Sequence, residues 1–144
     1  MSTTTKGHIL VVDDEPDFVA YLRSVLEEEG FTVTTAFDGE EGLRHVRELP
    51  PDLVTLDISM PRKTGVLFYR QMKSDERLRS IPVIVVTGLR RTNEYAAPFI
   101  ERFFEFDDQK LPAPEAYLDK SVDKGTFLLA VKENLGLGKA TLKV

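Results

Sequence analysis

The sequence feature that most constrains the fold is a short apolar run, residues 53–56, that leads directly into Asp57. An uninterrupted run of apolar and β-branched residues favours a central parallel strand that is buried on both faces. Pro61 then prevents the strand from continuing, because proline has no backbone N–H to donate to a sheet. Asp57 is therefore predicted at the carboxyl end of a buried strand, where open α/β sheets place their ligands.

Four more apolar or β-branched runs predict the other strands. They span residues 8–12, 31–36, 82–87 and 116–119, and the second has one polar face, which suits a sheet edge. Apolar residues at helical spacing predict helices between these strands. The helices run from Pro16 to before Gly30, from Gly39 to before Pro50, from Gly65 to about Ser74, and up to Gly136. The second helix carries Leu43, Val46 and Leu49 at helical spacing.

Strands and helices alternate strictly, so the chain repeats a βα unit five times. This order predicts a parallel sheet with right-handed crossovers and helices on both faces. The fold class is therefore α/β, a three-layer α/β/α sandwich around a five-stranded parallel sheet. The connections are short except for the enlarged, irregular segment Leu89–Pro114 before the last strand. Its aromatic run, Tyr95 to Phe106, is interpreted as core, with an exposed docking or dimer face as the alternative.

Composition narrows the classes of function. The chain has 144 residues, one domain of ordinary size, and 42% hydrophobic residues, which is typical of a globular protein. Its formal charge of −5 argues against a broad surface for nucleic acid or anionic membranes. The absence of cysteine excludes disulfides, thiolate catalysis and cysteine-based zinc sites. No apolar run approaches the roughly 18 residues of a membrane span, and residues 1–7 lack a secretory apolar region, so we expect a cytoplasmic location.

Polar side chains lie at the carboxyl ends of four of the predicted strands. Asp13 and Asp14 follow the first strand, Asp57 follows the third, Thr87 is the last residue of the fourth, and Lys120 follows the fifth. Because the carboxyl ends of parallel strands lie at one edge of a sheet, these side chains are predicted to converge. Three carboxylates repel one another, and a hard divalent cation such as Mg²⁺ relieves that repulsion. A metal-bound carboxylate can attack phosphorus, while a hydroxyl and an ammonium hold the phosphoryl oxygens.

Four motifs occur in order along the chain. They are Ile9-Leu-Val-Val-Asp13-Asp14-Glu15, Leu56-Asp57-Ile-Ser-Met-Pro61 with Gly65, Val86-Thr87-Gly88, and Tyr117-Leu-Asp-Lys120. Together they make the chain resemble the receiver domain of two-component response regulators, of the chemotaxis-regulator type. The resemblance covers about residues 7–136 and implies a flavodoxin-like sheet in the order 2-1-3-4-5.

The resemblance implies a phosphoacceptor and its metal site. Asp57 would accept a phosphoryl group from the phosphohistidine of a sensor histidine kinase or from a phosphotransfer protein. Mg²⁺ would be bound directly by Asp14, Asp57 and the Ser59 backbone carbonyl, with Asp13 acting largely through water. Ser59 and Leu89 occupy positions that influence dephosphorylation in this family.

The resemblance also implies how the signal is passed on. Thr87 and Lys120 would hold the phosphoryl group, and Tyr117 would be the aromatic switch that turns inward when the Thr87 hydroxyl moves toward the phosphate. The fourth helix, last strand and fifth helix form the signalling face, so a downstream protein partner is expected at Leu89–Pro114 and Tyr117, with a second copy of the chain as a further candidate. We expect no direct DNA binding, no membrane association, and no enzymatic activity beyond assisting its own phosphorylation and dephosphorylation.

Two features depart from the family pattern. Ser121 follows Lys120 where the family usually has a proline, often with a cis bond that aims the ammonium. Because a non-proline cis bond costs about 2.5–4 kcal/mol, we expect either a trans bond or a strained cis bond held by its surroundings. The second departure is the enlarged segment Leu89–Pro114, which also lacks the common Gly-Ala pair before the last strand.

Other classes of function stay open beside this interpretation. A degenerate receiver would bind partners without phosphorylation, which Ser121 and the enlarged segment favour weakly and the acidic residues disfavour. A haloacid-dehalogenase-like phosphatase would need a second acid two residues after Asp57, where Ser59 stands. A nucleotide-binding flavodoxin-like protein would need a phosphate-binding loop after the first strand, where Asp13 and Asp14 stand instead.

The domain organisation follows from the same pattern. Residues 1–6 are expected to be a mobile tail, 7–136 a receiver domain, and 137–144 a short tail with no output domain in this chain. The chain is either a complete single-domain regulator or a piece of a longer protein, and both interpretations fit the sequence.

Overall fold

The computed structural model describes residues 5–60, 64–88 and 112–137 of the chain. The strands in these residues are β1 (His8–Val12), β2 (Thr32–Ala36), β3 (Leu53–Leu56), β4 (Val83–Thr87) and β5 (Ala116–Asp119). The helices are α1 (Pro16–Glu28), α2 (Gly39–Glu48), α3 (Thr64–Ser74) and a C-terminal helix (Lys124–Asn134). The predicted elements within the described residues are confirmed, with bounds that differ by one or two residues.

The five strands form one parallel sheet in the order β2-β1-β3-β4-β5. The predicted α/β fold class and strand order are therefore confirmed. β3 and β4 lie in the interior of the sheet and are buried along their whole length. β5 lies at an edge and is partly exposed. The carboxyl ends of the strands are in register, with Val12 beside Leu56 and Thr87 beside Asp119.

Two apolar clusters cover the two faces of the sheet. Alternate residues of β1 point into different clusters, as the two-residue period of a strand requires. Leu10 and Val12 pack with residues of α2 and α3, whereas Ile9 and Val11 pack with residues of α1 and the C-terminal helix. The sheet is therefore the middle layer of a three-layer sandwich.

One predicted helical position proved wrong. Leu49 does not pack with Leu43 and Val46, because α2 ends at Glu48 and Leu49 adopts non-helical backbone angles before Pro50. Its side chain is 64% exposed, whereas Val46 is fully buried. The proline pair therefore ends the helix one residue earlier than the apolar spacing indicates.

Some expectations concern residues beyond this description. The aromatic run from Tyr95 to Phe106, Leu89 and most of the Leu89–Pro114 segment lie outside the described residues, as do residues 1–4 and 138–144. No helix in the described ranges combines the length and apolar character needed to cross a bilayer.

Candidate functional site

The sheet places the two buried acids by continuing its hydrogen-bond ladder one residue beyond the strands. The Asp13 N–H donates to the Ala36 carbonyl, and the Asp57 N–H donates to the Val12 carbonyl, both at 3.0 Å. These bonds fix both acids at the carboxyl edge of β1 and β3. The prediction that the acids converge at this edge is confirmed.

Asp13, Asp14 and Asp57 form a compact acidic cluster. Each offers a carboxylate oxygen, and these oxygens lie within 4.8 Å of one another. Asp13 and Asp57 are each only 2% exposed, and Asp14 is more exposed than either. Three anionic oxygen donors at this spacing suit a hard divalent cation such as Mg²⁺.

Local hydrogen bonds orient the two buried carboxylates. Oδ1 of Asp13 accepts the Glu15 backbone N–H at 2.9 Å. Oδ1 of Asp57 accepts the Ser59 backbone N–H at 2.9 Å and its hydroxyl at 2.7 Å. Because the local bonds of Asp57 use Oδ1, its Oδ2 is turned toward Lys120, which it meets at 3.2 Å.

Lys120 brings a positive charge to the acids. The Lys120 backbone N–H donates to the Thr87 carbonyl at 3.0 Å, which holds the lysine beside the end of β4. Its Nζ lies 3.0 Å from Oδ2 of Asp13 and 3.2 Å from Oδ2 of Asp57, and it also contacts Oε1 of Glu15. The ammonium therefore lies among three carboxylates.

The protonation equilibria reflect this arrangement. Burial raises the pKa of Asp13 to about 6, and the charge of Asp57 adds to that rise, while the Glu15 N–H and Lys120 oppose it. Burial lowers the pKa of Lys120, but its bonds to Glu15 and Asp13 and the charge of Asp57 outweigh burial, so the pKa is raised. Lys120 is therefore a fixed cation, whereas Asp13 is an acid that a nearby cation would keep ionised.

Thr87 presents a buried hydroxyl at the end of β4. The residue is 2% exposed, and its Oγ1 has no hydrogen-bond partner among the described residues. A buried hydroxyl without a partner is costly, so its presence favours a ligand that supplies the missing bond. A phosphoryl oxygen is a strong acceptor that fits this donor.

Gly65 allows the first turn of α3 to pack against the backbone that follows β3. A Cβ atom at this position would lie 2.3 Å from the Asp57 carbonyl oxygen and 2.9 Å from Cα of Ile58. Because both atoms belong to the backbone, they cannot move aside as a flexible side chain can. Gly65 thus supports the position of Asp57 from outside the site.

Ser121 takes a role that proline could not fill. Its backbone N–H donates to Oδ2 of Asp119 at 2.9 Å, and its hydroxyl donates to the same oxygen. No cis peptide bond occurs among the described residues, so the Lys120–Ser121 bond is trans, the first of the two predicted alternatives. Lys120 nevertheless reaches Asp13 and Asp57.

Tyr117 lies on β5 and is 40% exposed. Its predicted switch role stays a prediction, as does the influence of Ser59 on dephosphorylation. The residue pattern assigned no role to Glu15, although an acid directly after an aspartate pair could have suggested a further partner for Lys120. It also missed Tyr69, whose hydroxyl donates to the Pro112 carbonyl 43 residues away. No local sequence pattern indicates such a contact.

Comparison with known proteins identifies the class that this fold and site define. Residues 9–102 match the family model described as the response regulator receiver domain. A solved receiver domain of a signal transduction histidine kinase from Syntrophus aciditrophicus is 27% identical, with a TM-score of 0.76, and the match covers 90% of each chain. The chain belongs to the response regulator receiver domain family.

Two curated relatives show how such a domain is used in chains of different length. The chain is 40% identical over 125 residues to protein PilH of Pseudomonas aeruginosa. This match covers 87% of the chain and 94% of PilH. It is 39% identical over 85 residues, 59% of the chain, to the DNA-binding response regulator MtrA of Mycolicibacterium smegmatis. The chain spans 36% of MtrA and about a third of two other curated relatives that it matches.

Proposed function

We propose that this receiver domain accepts a phosphoryl group on Asp57 from a sensor histidine kinase or a phosphotransfer protein. The observation that carries the proposal is the environment of Asp57. Its buried carboxylate lies within 4.8 Å of two other acids and 3.2 Å from an ammonium. A purely structural aspartate would need one partner, and two further acids beside it would be unfavourable.

The acidic cluster fits Mg²⁺. Asp14, Asp57 and the Ser59 backbone carbonyl would hold the ion, with Asp13 acting through water. When bound, the ion neutralises charge on the phosphoryl oxygens during transfer. Burial and like charge already raise the pKa of Asp13. This supports a site built to work with a cation, because the cation would favour the ionised form.

The transfer step uses the residues of this chain in separate roles. Asp57 attacks the phosphorus atom of a phosphohistidine, a bond forms between its carboxylate oxygen and phosphorus, and the phosphorus–nitrogen bond breaks. The imidazole leaves with the electron pair of that bond, and Asp57 becomes an acyl phosphate. The Lys120 ammonium and the Thr87 hydroxyl would hold two of the phosphoryl oxygens, which stabilises the developing charge.

Phosphorylation is proposed to shift an existing conformational equilibrium. The Thr87 hydroxyl would move toward the phosphoryl group, and Tyr117 would turn into the space that it leaves. A downstream protein, or a second copy of the chain, would bind at Tyr117 and the Leu89–Pro114 segment. This module is proposed to act in the cytoplasm, without binding DNA or membranes itself and without turning over a substrate other than its own phosphoryl group.

Intact-mass spectrometry tests the proposal. The protein and its Asp57→Asn variant are incubated with Mg²⁺ and acetyl phosphate, or with a phosphorylated histidine kinase. We expect a labile gain of one phosphoryl group in the wild type, which is blocked when Mg²⁺ is chelated before the donor is added and is absent from the variant. No gain with either donor would contradict the proposal and favour partner binding without phosphorylation.

A further inference from the structure

Lys120 is held by a carboxylate that has no part in the proposed phosphoryl transfer. Its Nζ donates a hydrogen bond to Oε1 of Glu15 as well as contacting Asp13 and Asp57. Glu15 is the residue directly before α1, and its side chain caps no N–H of that helix. Binding Lys120 is therefore the contact that its carboxylate makes at this site.

The ammonium donates hydrogen bonds to Asp13 and Glu15 and forms an ion pair with Asp57. A lysine ammonium has three N–H groups, and three carboxylates surround this one. The centroid of the Phe18 ring lies 4.8 Å from Nζ, so the ring covers another side of the ammonium. When Asp57 is phosphorylated, its contact with Lys120 passes to the phosphoryl group, whose three terminal oxygens are strong acceptors and compete with the other carboxylates for the ammonium.

Glu15 is the carboxylate that can leave most easily. Its side chain is 62% exposed, whereas the side chains of Asp13 and Asp57 are 3% and 2% exposed. Water can replace Lys120 as the partner of an exposed carboxylate, but it cannot do so for a buried one. A cation in the acidic cluster would also neutralise part of the negative charge of Asp13 and Asp57. The charge of Glu15 would not be neutralised in this way, so Glu15 would remain an ionic partner of Lys120.

We propose that Glu15 is a positioning residue that competes with the phosphoryl group for Lys120. It holds the ammonium at the site before phosphorylation and releases it when Asp57 is phosphorylated. The strength of this ion pair thus sets how readily the domain takes up and keeps a phosphoryl group. This inference rests on the proposed function, because it requires a phosphoryl group at Asp57.

Calorimetric titration with beryllofluoride, a stable phosphoryl mimic, at saturating Mg²⁺ tests the inference. The variants are Glu15→Gln, Glu15→Asp and the control Asp17→Asn, which removes an acid from the first turn of the same helix. We expect Glu15→Gln to bind beryllofluoride about two- to five-fold more tightly than Asp17→Asn, as the loss of a partly exposed competing ion pair predicts. Glu15→Asp, which keeps the charge, should restore affinity toward that of the wild type.

A second readout separates competition from a change in structure. Raising the ionic strength should reduce the difference in beryllofluoride affinity between the wild type and Glu15→Gln, because salt screens the exposed ion pair. A gap that salt leaves unchanged, or equal affinities for Glu15→Gln and Asp17→Asn, would overturn the inference. So would a much larger loss of Mg²⁺ affinity in Glu15→Gln than in Asp17→Asn, since Glu15 would then be a cation ligand. If the wild type itself bound no beryllofluoride and took up no phosphoryl group, the proposed function would fail first.

Discussion

The two halves of the site are held in place by different means. Asp57 follows β3, an interior strand that pairs with β1 and β4 and is buried at every residue. Lys120 follows β5, which among the described residues is an edge strand that pairs with β4 alone and is partly exposed. The acids are thus fixed by packing and by the sheet ladder, whereas the ammonium is fixed by its ionic contacts. The difference indicates that the reactive group is rigid and that its counter-charge can change partners.

Substituting Gly65 should give the largest effect on stability. Gly65→Ala puts a Cβ atom 2.3 Å from the Asp57 carbonyl oxygen, so the backbone of the acid half has to shift. We expect a loss of about 3 kcal/mol in the free energy of unfolding by urea, the upper range for overpacking. The control is Gly125→Ala in the C-terminal helix, where the nearest atom is Asp123 Oδ2 at 3.4 Å. Alanine favours a helix by up to about 1 kcal/mol, so equal losses in the two variants would contradict the comparison.

Replacing Ser121 tests the lysine half. Ser121→Pro removes both the N–H and the hydroxyl that bind the buried Asp119 carboxylate. We expect a loss of about 2 kcal/mol in urea unfolding, because a buried acceptor loses two donors. Ser121→Ala keeps the N–H and should lose about half as much. A Ser121→Pro variant as stable as the wild type would show that the usual family residue fits this chain without cost.

A comparison of Thr55 with Thr87 tests whether the Thr87 hydroxyl has a role in function. Thr55 and Thr87 are both buried, and neither Oγ1 has a hydrogen-bond partner in the described part of the chain. Replacing either with valine should raise the free energy of unfolding by about 1 kcal/mol, because a desolvated hydroxyl is removed. Only Thr87→Val should lose phosphorylation-dependent partner binding. Loss of binding in both variants, or in neither, would contradict the role of Thr87.

The ion pair between Glu29 and Lys132 should give the smallest effect. It joins the end of α1 to the C-terminal helix, with Lys132 Nζ 2.5 Å from Oε2 of Glu29. The hydrogen bond from Lys132 lowers the pKa of Glu29 below its usual value of 4.5. The folded state therefore favours the ionised carboxylate, so the contribution is present above pH 4.5 and is lost as the pH falls through the lowered pKa. Glu29→Gln should lower the melting midpoint by no more than about 2 °C at pH 7, and less in high salt. An equal shift at low pH would contradict the assignment.

The regular part of the molecule could be predicted from sequence because each strand end carries its own signal. The apolar run before Asp57 and the proline after it give the position of the acid, and the alternation of strands and helices brings the strand ends to one edge. Leu49 could not be placed in this way, because apolar spacing continues past the point where Pro50 ends the helix.

Contacts between distant residues were the part that sequence did not reveal. Lys73 shows this, since a lysine on a helix is expected in solvent. It is instead 4% exposed and donates to the carbonyls of Arg79 and Ile81 at 3.0 and 2.8 Å. The Glu15–Lys120 contact joins residues 105 positions apart. Such pairs depend on side-chain reach in the folded chain, which residue spacing does not record.

The contact between Tyr69 and Pro112 affects where the chain can tolerate insertions and deletions. The Tyr69 hydroxyl binds the Pro112 carbonyl, and Glu115 accepts the Val83 backbone N–H at 2.7 Å, so the approach to β5 is attached to α3 and β4. At the other end, the Thr87 carbonyl is bound by the Lys120 N–H. Residues 89–111 therefore join two anchored points, and insertions or deletions between them need not disturb the backbone of the acid cluster. Under the proposed function, related chains could therefore differ in this stretch and bind different partner proteins while keeping the same acid cluster.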